Sequence, residues 1–237
     1  MPRLLLLCFV SGLSFWTAVT ASAAPAAQRT CRILFLGAAR DAPESLLLFD
    51  GTSAQKVELP RMNLSPIYKL PAGPLILRLL EKQPETAEAI PAGSPQVKIG
   101  EGTSDFYLLI ANDPKNKVLP VSMQVINADQ GSFSKGQMLW FNLTKNRVGG
   151  TLGSEKLALE PNSRKISNAP AKGAGDYPVE LYYQIPGDKK VWPLCETQWQ
   201  HNPAGRTVVF VLTEGDSRVP RIMGFPDFRM EEEKERM

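Results

Sequence analysis

The chain has 237 residues, 43% of them hydrophobic and 22% charged, and its net charge of +3 with both signs interspersed gives no clustered basic face for nucleic acid. One histidine and three cysteines are too few for a zinc cluster. There is no Gly-x-Ser-x-Gly elbow and no phosphate-binding glycine loop followed by lysine, which excludes the common elbow hydrolases and P-loop enzymes.

The first residues, Met-Pro-Arg, lead into an apolar segment from Leu4 to Val19 and a small-residue run from Thr20 to Ala27. That order is a secretory signal peptide over 1–23 with Ala21-Ser22-Ala23 as the cleavage triplet, followed by a linker over 24–30. The apolar segment is shorter than the roughly 20 residues that a bilayer-spanning helix needs. Cys8 lies inside it and Cys31 follows Gln-Arg-Thr, so neither fits a lipidation site. Loss of Arg3 takes the charge from +3 to +2. No transmembrane segment is expected in the mature chain, and its location is read as secreted or periplasmic.

From Arg32 the pattern is a succession of short apolar runs divided by turn residues. Strands are predicted at Arg32–Gly37 and Leu46–Phe49, the first ending in a turn through Asp41-Ala42-Pro43 and the second in Asp50-Gly51. Gln55–Leu59 alternates polar and apolar, as a half-buried strand does, and Pro60 closes it. Leu75–Leu80 is a further core strand. Glu81–Ile90 is the one internal place where a helical turn is tempting, with Pro84 at its first position. Val97–Ile99 completes the approach to Asp105–Ile126, an apolar run, an Asn-Asp-Pro turn and a second run.

The second half begins at Gln137–Leu143 and continues through Asn146–Gly153, Lys156–Leu159, Val179–Ile185 and Val191–Trp199 to Arg206–Phe225, which repeats the plan of Asp105–Ile126. Phe106 falls against Val208, Pro120 against Pro220 and Leu59 against Leu159, an offset near 100 residues throughout. A period of that length implies tandem domains rather than a solenoid. The expected fold is all-β: two tandem immunoglobulin-like β-sandwich domains from a duplication, over 31–129 and 135–228, with a charged tail over 229–237. A single closed barrel is the structural alternative. Tyr107–Ile110 and Val208–Val211 are apolar on both faces and belong in covered, central positions.

Few residues invite a chemical reading. Cys31 and Cys195 either form a disulfide, worth up to roughly 5 kcal/mol on a chain-entropy model, or remain two separate buried thiols. His201 is expected in a solvent-exposed turn before Pro203. Asn112, Asp113 and Asn116, or Glu214 and Asp216, offer oxygens for calcium but are also ordinary turn residues, so no metal and no cofactor are expected. Nothing singles out a catalytic pair. Trp192 and Trp199, close to Tyr182 and Tyr183, either form a platform for sugar rings or fill the core. Asn142-Leu-Thr144 matches a glycosylation sequon.

The stretch Ile33–Pro43 with its Asp-Ala-Pro turn, Phe49-Asp-Gly51 and Leu70-Pro-Ala-Gly73 resembles a bacterial exported β-sandwich domain family of unknown function. The resemblance covers roughly residues 31–126. In the second half Lys145-Asn-Arg147 stands where Asp-Ala-Pro would be. It implies export to the cell envelope and a sandwich fold, and it implies no activity. The reading of the whole is an exported, non-catalytic envelope or extracellular protein that binds an envelope protein or polysaccharide. The alternatives are a carbohydrate-binding module using Trp192 or Trp199, and an uncharacterised hydrolase working through carboxylates alone.

Overall fold

A computed structural model describes residues 28–86, 89–129, 131–215 and 217–228. These residues form sixteen strands and no α-helix. In the first half they are β1 (Arg29–Leu36), β2 (Ser45–Phe49), β3 (Ala54–Glu58), β4 (Tyr68–Leu70), β5 (Leu75–Leu80), β6 (Gln96–Ile99), β7 (Asp105–Asn112) and β8 (Val121–Asn127). In the second half they are β9 (Met138–Asn142), β10 (Arg147–Leu152), β11 (Glu155–Leu159), β12 (Ser163–Ser167), β13 (Gly175–Gln184), β14 (Val191–His201), β15 (Arg206–Leu212) and β16 (Arg221–Asp227).

The strands make four open sheets of four, so no barrel closes. The first half has the orders β3-β2-β5-β6 and β4-β1-β7-β8, and the second has β11-β10-β13-β14 and β12-β9-β15-β16. Adding eight to every strand of the first half reproduces the second. The parallel pairs correspond as well: β1 runs parallel to β7 and β9 to β15, while every other pairing is antiparallel. The internal repeat in the sequence is thus a repeat of topology. The hairpins β7–β8 and β15–β16, which carry the repeated stretches, each pair over seven residues.

Side-chain alternation stacks these sheets into four layers. One face of the β4-β1-β7-β8 sheet, with Ile33, Phe35, Phe106, Leu108 and Ile110, packs on Leu48, Val57, Leu77 and Leu79 of the first outer sheet. Its other face, with Leu34, Tyr107 and Leu109, packs on Leu139, Val208, Phe210 and Phe225 of the second half. The opposite side chains of those second-half strands, Trp140, Val209 and Val211, pack on Val148, Leu157, Val179 and Leu181 of the last sheet. The two inner sheets are therefore covered on both faces, which is why β1, β7 and β15 read as nearly unbroken apolar runs. The outer sheets have one wet face, and β13 alternates buried and exposed along its length.

Several expectations change. The linker over 24–30 is shorter than expected, because Arg29 and Thr30 are already in β1 and pair with Leu70 and Lys69. In 81–90 the described residues make turns and a short helical step at Ala89, whose N–H donates to the Thr86 carbonyl at 3.1 Å; residues 87 and 88 lie outside the described residues. The signal peptide over 1–23, the start of the linker, Asp216 and the tail over 229–237 lie outside the described residues. Gly150 in β10 meets a backbone demand: its φ is 148°, and a Cβ there would lie 1.9 Å from the Glu180 carbonyl oxygen across the pairing with β13.

Candidate functional site

The densest polar chemistry lies at the junction of the halves, between the two inner sheets. Asp227, at the end of β16, accepts hydrogen bonds from Arg32 Nη1 at 2.8 Å, Arg206 Nε at 3.1 Å and the Tyr107 hydroxyl at 2.5 Å. Arg206 also donates through Nη1 to the carbonyls of Ala128 and Phe133, and through Nη2 to Asp105 Oδ2 at 2.6 Å. Arg32 donates through Nε to the Ser65 carbonyl at 2.7 Å, and Thr30 to Asp105 Oδ1. Two guanidinium groups and two carboxylates balance in charge, which is the condition under which buried ions are tolerated. Burial pushes the Tyr107 phenol well above its ordinary pKa, reinforced by the adjacent Asp227 charge, so the hydroxyl stays a donor. This arrangement joins buried side chains of both halves, Arg32, Asp105 and Tyr107 of the first with Arg206 and Asp227 of the second.

Reasoning from the sequence missed that network. Asp105 and Arg206 open the two stretches that the repeat aligns, yet a charge before an apolar run reads as a strand end. The pairing between them links residues about 100 positions apart and depends on the packing of one half on the other.

Cys31 and Cys195 form no disulfide with each other, which leaves the second of the two alternatives, separate thiols. Cys31 is buried in the first core and Cys195 belongs to the last layer, two sheets further on. Face-to-face sheets sit about 10 Å apart, so that separation far exceeds the roughly 7 Å limit for bridged Cα atoms. Burial pushes the Cys195 thiol pKa up. His201 is also placed differently from the expectation of an exposed turn. It ends β14, is only 6% exposed, lies edge-on to Tyr177 with ring centroids 6.5 Å apart, and has no hydrogen-bond partner at Nε2. Burial lowers its pKa. The sequon asparagine Asn142 is fully buried and donates to the carbonyls of Asn146 and Glu160, so its amide is engaged inside the fold.

The acidic turns are self-satisfied. Asn112 bridges Gly37 and Ala39, Asp113 accepts from Lys115 N, and Asn116 accepts from the amides of Val118 and Leu119. Glu214 pairs with Arg221. Among the described residues no cluster of three or more His, Cys, Asp or Glu side chains could hold a metal ion.

Trp192 and Trp199 are half-buried on β14 with their rings toward the second core. Trp199 stacks on Trp140 at 6.1 Å and meets Tyr177 edge-on. Lys190 Nζ sits 3.5 Å above the Trp192 ring, over a face that a sugar would use. The aromatic that does face outward is Tyr182, 40% exposed, beside Val191 at 55%. These two flank a trough of about 310 Å³ on the outer face of the last sheet, with Gly149 and Ala158 in its lining beside the Arg147–Glu160 ion pair at 2.9 Å. A second hollow, lined by Lys145, Gln184 and the 185–188 turn, shares Arg147 and Gln184 with it. The small side chains let a ligand approach the backbone, and Tyr182 and Arg147 give an apolar face and a cation.

Compared with protein-family models and with curated proteins, the chain matches none of them.

Proposed function

We propose an exported, non-catalytic protein of the cell envelope or extracellular space, in which two immunoglobulin-like sandwich domains form one rigid body that presents the outer sheet of its second domain to another protein or a surface polymer. The observation that carries this reading is the trough between Tyr182 and Val191. It is an open, shallow surface with apolar, small and charged residues side by side, the composition of a recognition face. The balanced network around Asp227 supports the rigid-body part, because its donors and acceptors come from both halves.

The test is co-sedimentation of the purified protein with the envelope fraction of its source cell. Tyr182→Ser with Val191→Asp should abolish sedimentation, whereas Lys56→Glu on the opposite outer sheet should not. Equal loss from both variants would sink the assignment of this face.

A carbohydrate-binding module is the second reading, favoured by the exposed Tyr182 ring beside Arg147. A glycan panel read by tryptophan fluorescence distinguishes it. Saturable quenching by one glycan, lost in Tyr182→Ser and retained in Trp199→Phe, would place sugar on the trough.

A further inference from the structure

β14 is the longest strand among the described residues and lies at the edge of its sheet, paired with β13 on one side only. Pro178 reveals which of its backbone groups are free. A proline has no N–H to exchange, and the Pro178 carbonyl accepts from Gly153 N at 2.8 Å, away from β14. The Pro178–Gln198 pair is therefore of the kind that exchanges no hydrogen bonds within the hairpin. The N–H and C=O of Gln198 then point to the open edge, as do those of Glu196 and Gln200 two residues to either side.

The same three residues put their side chains on the outer face, where Glu196 stands directly across from Glu180. Like charges in direct register oppose pairing. The next residue in that row is Thr151 of β10, so the nearest cation in the row is Lys156 of β11, two strands from Glu180 and three from Glu196. On the inner side of the strand Trp192, Cys195 and Trp199 are only half covered. Across the layer, β16 turns Ile222, Gly224 and Pro226 toward them, and Gly224 and Pro226 are exposed.

We propose that the β14 edge accepts an extended segment of a partner protein as a fifth strand of this sheet, with a lysine or arginine opposite Glu196 and aliphatic residues at the alternate positions. Such a segment satisfies the free amides and carbonyls of Glu196, Gln198 and Gln200, neutralises the Glu180–Glu196 repulsion, and covers the half-exposed Trp199. Pro193 and the bulge beside Leu194 confine the usable edge to Cys195–His201, a strand of ordinary length. A second copy pairing edge to edge with the two Glu196 residues in register would oppose one carboxylate to another, which disfavours that register. The inference rests on the binding role proposed above and names its protein partner.

The probes are a capped peptide of alternating threonine and valine with lysine at its centre, and the same peptide with glutamate there. Hydrogen exchange of the full-length protein should show protection of the Glu196, Gln198 and Gln200 amides. The lysine peptide should bind roughly threefold to tenfold more tightly than the glutamate peptide. Glu196→Lys should reverse that preference. Gln198→Pro removes only an edge-facing N–H, so it should leave the melting temperature unchanged and abolish binding of both peptides. Absence of protection on β14, indifference to the central charge, or concentration-dependent dimerisation through this edge would each overturn the proposal. Retained envelope binding dependent on Tyr182 in that case would leave the wider role standing.

Discussion

The two halves share every strand and every pairing direction, yet they close differently. In the first, β5 and β6 are short, and β6 packs against β8, whose inward column is Val121, Met123 and Val125. In the second, β13 and β14 are drawn out to 10 and 11 residues, and the matching column of β16 is Ile222, Gly224 and Pro226. The cores differ in kind as well. The first is mainly aliphatic, whereas the second stacks Trp140 on Trp199 and buries Tyr177 and Tyr183. A duplicated topology thus permits one copy to pack its last outer strand, β6, against β8 and the other to draw the matching strand, β14, out into a longer edge.

The junction is the first place to break that comparison. Asp227→Ala leaves the Arg32 and Arg206 guanidinium groups without their shared carboxylate, and removal of one partner from a buried ionic network costs about 3–5 kcal/mol. Tryptophan fluorescence reports the second half, since Trp140, Trp192 and Trp199 all lie there; Trp16 is replaced by Phe for the measurement. In the parent, urea unfolding followed by fluorescence and by far-ultraviolet circular dichroism should coincide. In Asp227→Ala the curves should separate, and coincident curves at an unchanged midpoint would show that the network does not couple the halves.

Core truncations sharpen the same contrast. Trp140→Ala removes a fully buried ring from the second core and should cost about 3–5 kcal/mol, while Leu48→Ala in the first should cost about 2–5 kcal/mol. With the junction intact, Leu48→Ala should shift the fluorescence midpoint although every reporter lies in the other half. A fluorescence midpoint that ignores Leu48→Ala would mean that the halves unfold independently.

Much of this architecture is legible in the sequence because strand signals are local. Alternation at Gln55–Leu59 and Val179–Gln184 marks strands with one wet face, and the unbroken runs at Tyr107–Ile110 and Val208–Val211 mark covered ones. The offset near 100 residues anticipated the repeat. What stayed hidden depends on which face meets which. The positions of Cys31 and Cys195 in different layers, the burial of His201 at a strand end and the union of Asp105 with Arg206 follow from stacking order, which no short pattern encodes. Trp192 and Trp199 attract attention as residue types, but only the pairing with Tyr183 and Tyr177 turns their rings inward.

Alkaline pH should act through buried phenols. Burial pushes Tyr177 from its ordinary 10.0 up to about 12. As pH rises above 10 the unfolded chain loses this proton first, so the folded state holds more protons and stability falls between the two values, having been fully present below 10. Tyr177→Phe should flatten the fall in urea midpoint across that window, although Tyr107 in the junction retains a share of it. A slope equally steep in the variant would assign the effect elsewhere.

The smallest effect separates the halves by acid. In the first half, burial raises the Asp50 carboxyl, but the amides and hydroxyls of Ser53 and Thr52 outweigh it and leave the pKa below the ordinary 3.8. Its contribution is present above 3.8 and is lost only as pH falls below that value. In the second half, burial lowers His201 from 6.5, with no partner at Nε2 to hold an imidazolium. The unfolded chain therefore takes up this proton first, and the second half should begin to lose stability as pH falls below 6.5. Because His201 is the sole histidine, a fall in urea midpoint that begins as pH drops below 6.5, before the carboxylates titrate, is its own signature. His201→Phe should remove that slope and leave the later acid transition in place, whereas a slope that persists in the variant would show that His201 is not the acid-sensitive point of the second half.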